Sequence, residues 1–252
     1  MRLAHRIDGP EDAPVLVLSN SIGSDWRMWD GLLPALTARF QVLRYDTRGH
    51  GTSEVPPGPY TIAELADDLI GLLDELGIDR PHLAGLSLGG MTGMWLAAHE
   101  PSRVDRMALL CTSALLGPAQ MWHDRAALVR AEGTKAVADA GVRRWLTEGF
   151  IAEQPDAARW CRDMIAGTSD EGYAGCCEAI AAMDLRADLP AITAPTIVIA
   201  GADDPATPPS HAEVIAAGIA GAKLHVVPHA AHLATVEQPA AITDLLLRHF
   251  GG

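Results

Sequence analysis

The sequence predicts an α/β fold in which a mostly parallel sheet is flanked by helices and interrupted by a helical insertion between two strands. Three observations carry that expectation. Short β-rich runs alternate with segments of helical period, the order that builds βα units on a parallel sheet. The strand signal then disappears from about 113 to 189, where Ala, Trp, Arg and Glu recur in helical rather than alternating patterns. The 252 residues suit one large domain, or one domain carrying a sizeable insertion.

In chain order, strands are expected at 3–7, Val15–Ser19, Gln41–Tyr45, His82–Leu86, 106–111, 196–200 and Lys223–Val227. The clearest helical stripe is Ile62, Leu65, Leu69, Leu72, Leu73 and Leu76, whose spacings of three, four, three, one and three keep one face apolar before Gly77 closes the helix. Further helices are expected at 91–99 and around 237–250. Pro190 and Pro195 flank the return from the insertion to the sheet. The expected division is therefore a core of residues 1–112 and 190–252 with an insertion of residues 113–189.

Composition excludes several classes of partner. Apolar residues make up 48% and charged residues 20%, an ordinary balance for a packed globular chain. Lys and Arg number 19 against 32 Asp and Glu, a net charge of -13 spread along the chain rather than gathered into a tail, so a nucleic-acid partner is not expected. Cys111, Cys161, Cys176 and Cys177 form neither a dense disulfide framework nor a C-x-x-C pair and read as buried, reduced thiols. No apolar run approaches the ~18 residues of a membrane span, and Arg2, Arg6, Asp8, Glu11 and Asp12 interrupt the first dozen residues. A cytoplasmic protein acting on a small molecule, without a membrane partner, is the expectation; the oligomeric state is open.

The chemistry centres on Gly85-Leu86-Ser87-Leu88-Gly89-Gly90, which follows one expected strand and opens the next helix. This G-x-S-x-G in a strand, turn and helix is the pattern of a nucleophile elbow, where Ser87 would stand on a tight, strained turn. A serine hydroxyl is a poor nucleophile at neutral pH, so a base and a group to orient it are required, later in the chain if the order is Ser, acid, His. The acid candidates are Asp203 and Asp204, beyond the strand that ends near Ala200. Adjacent side chains in that proline-rich turn point apart, so only one can meet an imidazole. The strand before the insertion ends Leu110-Cys111-Thr112-Ser113 without a carboxylate, which favours this pair. His232, in the loop after the last strand, is the candidate base and His229 its rival; His5, His99, His211 and His249 read as structural or surface residues. Oxyanion donors are expected from the N–H of Leu88 and, across the Asn20-Ser21-Ile22-Gly23-Ser24 loop, from that of Ile22.

These residues resemble the α/β-hydrolase family and, within it, the 3-oxoadipate enol-lactonases of aromatic catabolism. The G-x-S-x-G and Arg48-Gly49-His50-Gly51 elements belong to the superfamily at large. Asn20-Ser21 in place of the common His-Gly, with the stretches from Tyr45 to Gly51 and from Pro56 to Tyr60, is similar to the enol-lactonases in particular. The resemblance extends to Gly201 through Pro208 and to His232 with Glu237-Gln238-Pro239, so it spans nearly the whole chain.

What the resemblance implies is an α/β-hydrolase fold with a helical cap and a triad of Ser87, Asp204 and His232, the acid falling on Asp204 by its spacing from Gly201. It also implies an acyl-enzyme route that opens a small carboxylated lactone with no cofactor or metal. Arg144 and Trp145 match a recurring Arg-Trp pair of the cap, and Trp122 with Trp145 would supply an apolar wall. One or two of Arg125, Arg130, Arg143, Arg144, Arg159 and Arg162 would turn inward to meet a substrate carboxylate. The chain departs from the family pattern at its start, which corresponds to the second of the usual eight strands. The same triad would serve other small-ester, lactone or carbon-carbon bond hydrolases and perhydrolases, and a non-catalytic receptor on this fold is the alternative of a different class.

Overall fold

A computed structural model of the chain describes residues 1–251. The elements run β1 (His5–Asp8), β2 (Val15–Ser19), α1 (Leu33–Leu36), β3 (Gln41–Tyr45), α2 (Ile62–Glu75), β4 (His82–Leu86), α3 (Leu88–His99) and β5 (Met107–Leu110). Five helices follow: α4 (Ala119–Glu132), α5 (Lys135–Trp145), α6 (Glu148–Glu153), α7 (Pro155–Gly167) and α8 (Asp170–Ala182). The chain then returns through β6 (Thr196–Gly201), α9 (Pro209–Gly218), β7 (Lys223–Val227), α10 (Ala234–Glu237) and α11 (Pro239–Phe250).

The strands form one sheet in the order β1-β3-β2-β4-β5-β6-β7, antiparallel only between β1 and β3. Every residue of β4 and β6 is buried, as their continuous apolar runs require of parallel strands covered on both faces. Register sets the function-bearing edge. Ser19 pairs with Gly85, Leu86 with Leu110, Leu110 with Ile199 and Gly201 with Val227, so β2, β4, β5, β6 and β7 all end along one side. Loops leaving that side are brought together without further instruction.

The apolar stripe of α2 packs inward through Ile62, Leu65, Leu69, Leu72 and Leu73, while Leu76 is only half-buried at the end of the helix. A reciprocal pair of bonds between Thr61 and Glu64 caps its start, and Gly77 leaves it at φ +68°. Within the insertion, α4 packs on α8 and α5 on α7. All four cysteines are buried and unbridged. No helix among the described residues is long and apolar enough to cross a membrane.

Several element boundaries differ from the sequence expectation, among them the start of α3 at Leu88 and the end of β6 at Gly201, and three others have a clear local cause. β1 begins at His5 because its ladder with β3 runs from His5 opposite Tyr45 to Asp8 opposite Val42, whereas the preceding Ala4 N–H turns to Ser53 Oγ at 2.9 Å. β5 stops at Leu110 because Cys111 adopts φ +42°, outside extended backbone. The final helix is two helices: Pro239 disfavours helical backbone in the preceding residue, and Gln238 breaks the run at φ -130°, ψ 53°.

Candidate active site

β4 delivers its chain into α3 through a single residue, Ser87, at φ 55° and ψ -113°. That conformation is uncommon for any residue with a Cβ and is held by its surroundings. The Ser87 N–H donates to the Leu110 carbonyl at 2.9 Å, and its own carbonyl accepts from Thr112 Oγ1 at 2.7 Å and from the Met91 N–H at 3.0 Å. The flanking glycines are required by space. A Cβ on Gly85 would lie 2.3 Å from the Gly89 carbonyl oxygen, and one on Gly89 would lie 2.2 Å from that of Ser19. The Ser87 hydroxyl has no protein hydrogen-bond partner among the described residues, and the residue is 3% exposed.

The turn after β6 resolves the two aspartates. Asp203 is exposed. Asp204 is 3% exposed, and its Oδ2 accepts from His232 Nδ1 at 2.9 Å and from Thr207 Oγ1 at 2.7 Å. Its Oδ1 accepts the N–H groups of Ala206 at 2.8 Å and Thr207 at 3.0 Å. Burial alone would raise this carboxyl, but the adjacent imidazole and the bonds from Thr207 together hold it below the usual carboxylate range. The bond to Nδ1 fixes the ring so that its Nε2 is the free nitrogen. His232 is also 3% exposed, whereas His229 is exposed and uses only its carbonyl, which accepts from Gln238.

At the elbow and the loop facing it, the backbone N–H groups of Ile22 and Leu88 have no protein acceptor among the described residues. Their neighbours are committed: Ser87 donates to Leu110 and Gly89 to the Asn20 carbonyl at 2.9 Å, while Gly23 donates to His50 Nε2 at 2.9 Å. The Asn20 side chain ties the same loop down, donating to the Tyr45 carbonyl at 2.7 Å and accepting from Trp29 Nε1 at 2.8 Å. Donors fixed in advance of any charge are what an oxyanion needs.

His50 thereby acquires a role that its motif alone does not disclose. With Nε2 accepting from Gly23, Nδ1 carries the proton and donates to the Arg48 carbonyl at 3.1 Å. Burial pulls the ring from its ordinary 6.5 down to about 4, against a smaller upward pull from that carbonyl. Above the ordinary value the ring is neutral in both folded and unfolded chains. As pH falls toward 4 only the unfolded chain takes up the proton, so the folded state loses about 3 kcal/mol over the window. Denaturant titrations should show the stability advantage of wild type over His50→Gln shrinking by about that amount between about pH 7 and pH 4. A difference independent of pH would contradict it.

Ser87, His232 and Ile22 line one cavity of about 360 Å³, whose opposite wall comes from the insertion. Trp122, Trp145, Leu116 and Met121 supply its apolar surface, with Trp122 Nε1 donating to the Leu116 carbonyl at 2.9 Å. Arg144 lines the cavity, and so does Arg125, whose guanidinium sits 4.8 Å from the centre of the Trp122 ring and joins no ion pair among the described residues. The other insertion arginines are elsewhere. Arg130 pairs with Glu171 and Glu178, Arg159 with Asp156, and Arg162 with Asp139, while Arg143 is exposed. No Asp or Glu lines the cavity among the described residues.

One lining residue corrects the sequence reading, which treated His211 as structural. Its Nδ1 lies 2.7 Å from Ser113 Oγ, whose single proton is already directed at the Leu115 carbonyl 2.6 Å away. His211 Nδ1 must therefore be the donor, and in the neutral ring Nε2 is left as an acceptor on a side chain lining the cavity. No local pattern marks this residue; it reaches the cavity only because α9 starts beside the end of β5.

A sequence model of the alpha/beta hydrolase fold matches residues 14–239. The 3-oxoadipate enol-lactonase 2 of Acinetobacter baylyi is 42% identical over 233 residues, covering 92% of this chain and 87% of its own. The crystal structure of the enol-lactonase from Burkholderia xenovorans LB400 is 44% identical with a TM-score of 0.97, covering 99% of this chain and 96% of that one. A hydrolase from Pseudomonas aeruginosa PA01 is 48% identical with a TM-score of 0.96, over 99% and 94% of the two chains. By the matched residues, the identities and the structural likeness over almost the whole chain, the chain belongs to the α/β-hydrolase family and resembles the 3-oxoadipate enol-lactonases within it.

Proposed function

We propose that the protein is a serine hydrolase that opens a small lactone bearing a free carboxylate, with 3-oxoadipate enol-lactone the substrate suggested by its relatives. Residues 113–189 act as the cap over a core of residues 1–112 and 190–252. Ser87 attacks the ring carbonyl while His232 Nε2 takes its proton, and Asp204 holds the imidazole in the required tautomer and stabilises its charged form. The oxyanion that develops is held by the N–H groups of Ile22 and Leu88. Collapse of the tetrahedral intermediate breaks the bond to the ring oxygen. His232 returns its proton to the enolate oxygen so freed, which remains on the acyl chain as an enol able to tautomerise to a ketone. Water, giving a proton to the same histidine, then cleaves the acyl-enzyme, releases a carboxylate and restores Ser87.

The observation that carries the substrate class is the polarity of the cavity. In a protein of net charge -13, general electrostatic steering opposes an anionic ligand, yet the space over Ser87 is lined by two guanidinium groups and no carboxylate among the described residues. Two tryptophans beside them suit the apolar body of a small ring. A charge-assisted bond to a carboxylate contributes about 1.5–3 kcal/mol, so neutralising the arginine that makes it, by Arg125→Gln or Arg144→Gln, should raise KM for a carboxylated lactone about 10- to 100-fold. KM for a neutral aryl acetate should stay within about twofold of wild type. If both substrates are affected alike in both variants, the arginines support the cavity generally and the carboxylate reading fails.

A further inference from the structure

Glu237 is a buried carboxylate that joins no ion pair among the described residues. Such a group is retained at a cost unless its lone pairs are satisfied. Here they are satisfied by three donors from two places. Oε2 accepts the N–H of Ala231 at 2.5 Å, the residue before His232, and Oε1 accepts the N–H and Oγ1 of Thr147, both at 2.8 Å. On the other side of His232, the Leu233 N–H donates to the Trp145 carbonyl at 2.8 Å. The N–H groups of both residues flanking His232 are thus anchored to residues 145–147, that of Ala231 through the bridging Glu237 carboxylate and that of Leu233 directly to the Trp145 carbonyl. The same short stretch of chain follows Arg144 and includes Trp145, two residues of the cavity wall.

We infer that Glu237 is a positioning residue that locks the His232 loop to the end of α5, so that the base and the substrate-contacting wall of the cavity move as one unit. The inference rests on the reading of His232 as the base for Ser87. The carboxylate is needed in its ionised form, because all three partners are donors and only two free oxygens can accept from both sides at once. An amide at this position supplies one acceptor oxygen and sets an NH₂ against a donor, so one anchor must be released. A base displaced by as little as about 1 Å loses on the order of 100-fold in rate.

Glu237→Gln should therefore lower two quantities by the same factor, about 10- to 100-fold: kcat on a neutral aryl acetate and the second-order rate of Ser87 labelling by a neutral fluorophosphonate. KM for the ester should stay within about twofold. Thr147→Val, which removes one of the two bonds at Oε1, should move both quantities in the same direction by less. Thr147→Ser, which keeps the hydroxyl and its bond to the Phe150 N–H at the start of α6, should restore wild-type values. The inference is overturned if folded Glu237→Gln is labelled and turns over at the wild-type rate with only a lower melting temperature. Should that variant not fold, wild-type labelling of folded Thr147→Val overturns it equally. If wild-type protein is not labelled at Ser87 at all, it is the proposed function that fails, and the two failures are distinct.

Discussion

Ser87→Ala is expected to lower hydrolysis of any ester or lactone substrate by about 10⁴- to 10⁶-fold while leaving thermal unfolding close to wild type. The size follows from the proposed mechanism. Without the hydroxyl no acyl-enzyme forms, and what remains is the stabilisation of an oxyanion generated by water, held by Ile22 and Leu88 and aided by His232. Stability is spared because the Ser87 side chain neither caps α3 nor makes a protein hydrogen bond among the described residues. The strain at φ 55° is borne by the backbone and its bonds to Leu110, Met91 and Thr112, all of which alanine keeps. Turnover above about a tenth of wild type would remove the serine from the mechanism.

Asp204→Asn should reduce kcat by about 10⁴-fold, the loss a serine protease suffers when its triad aspartate is made an amide. An asparagine at 204 can keep its bonds to the Ala206 and Thr207 N–H groups through Oδ1, and this places the NH₂ where Oδ2 now meets His232. Nδ1 would then have to accept, which leaves the proton on Nε2 and disables the base. Asp203→Asn should retain most activity, since Asp203 is exposed and meets the loop only through its N–H to the Ala230 carbonyl at 2.9 Å. Steady-state kinetics on both variants decide it, and reversed magnitudes would move the role to Asp203.

What could be read from the sequence was what local chemistry determines. The elbow was legible because the strand at His82, the glycines at 85 and 89 and the helix after Leu88 must occur together for the turn to exist. That the loop around position 22 lies beside the elbow was legible because the loop after β2 has to pass the start of α3, where the Gly89 N–H donates to the Asn20 carbonyl. The choice between Asp203 and Asp204 was not legible from the turn itself and came only through resemblance, because it depends on which side chain the His232 loop covers. The inward arginines were the least legible. Arg125 and Arg130 lie on the same helix five residues apart, about 140° around its axis, so one meets the cavity while the other meets α8. Which face turns inward is settled by the packing of α4 on α8, between segments some 50 residues apart, and no window on the sequence contains it. Glu237 likewise looked like part of a motif, and only its contact with Thr147, 90 residues away, gives it a function.

The most direct test of the account is the ratio of kcat/KM for 3-oxoadipate enol-lactone to that for uncharged lactones of the same ring size, measured on the purified wild-type protein. A ratio of about ten or more is expected if an arginine in the cavity holds the substrate carboxylate, since even a contribution of about 1.4 kcal/mol realised in the transition state gives a factor of ten. A ratio near one would contradict the account, leaving a serine hydrolase whose arginines do not select its substrate.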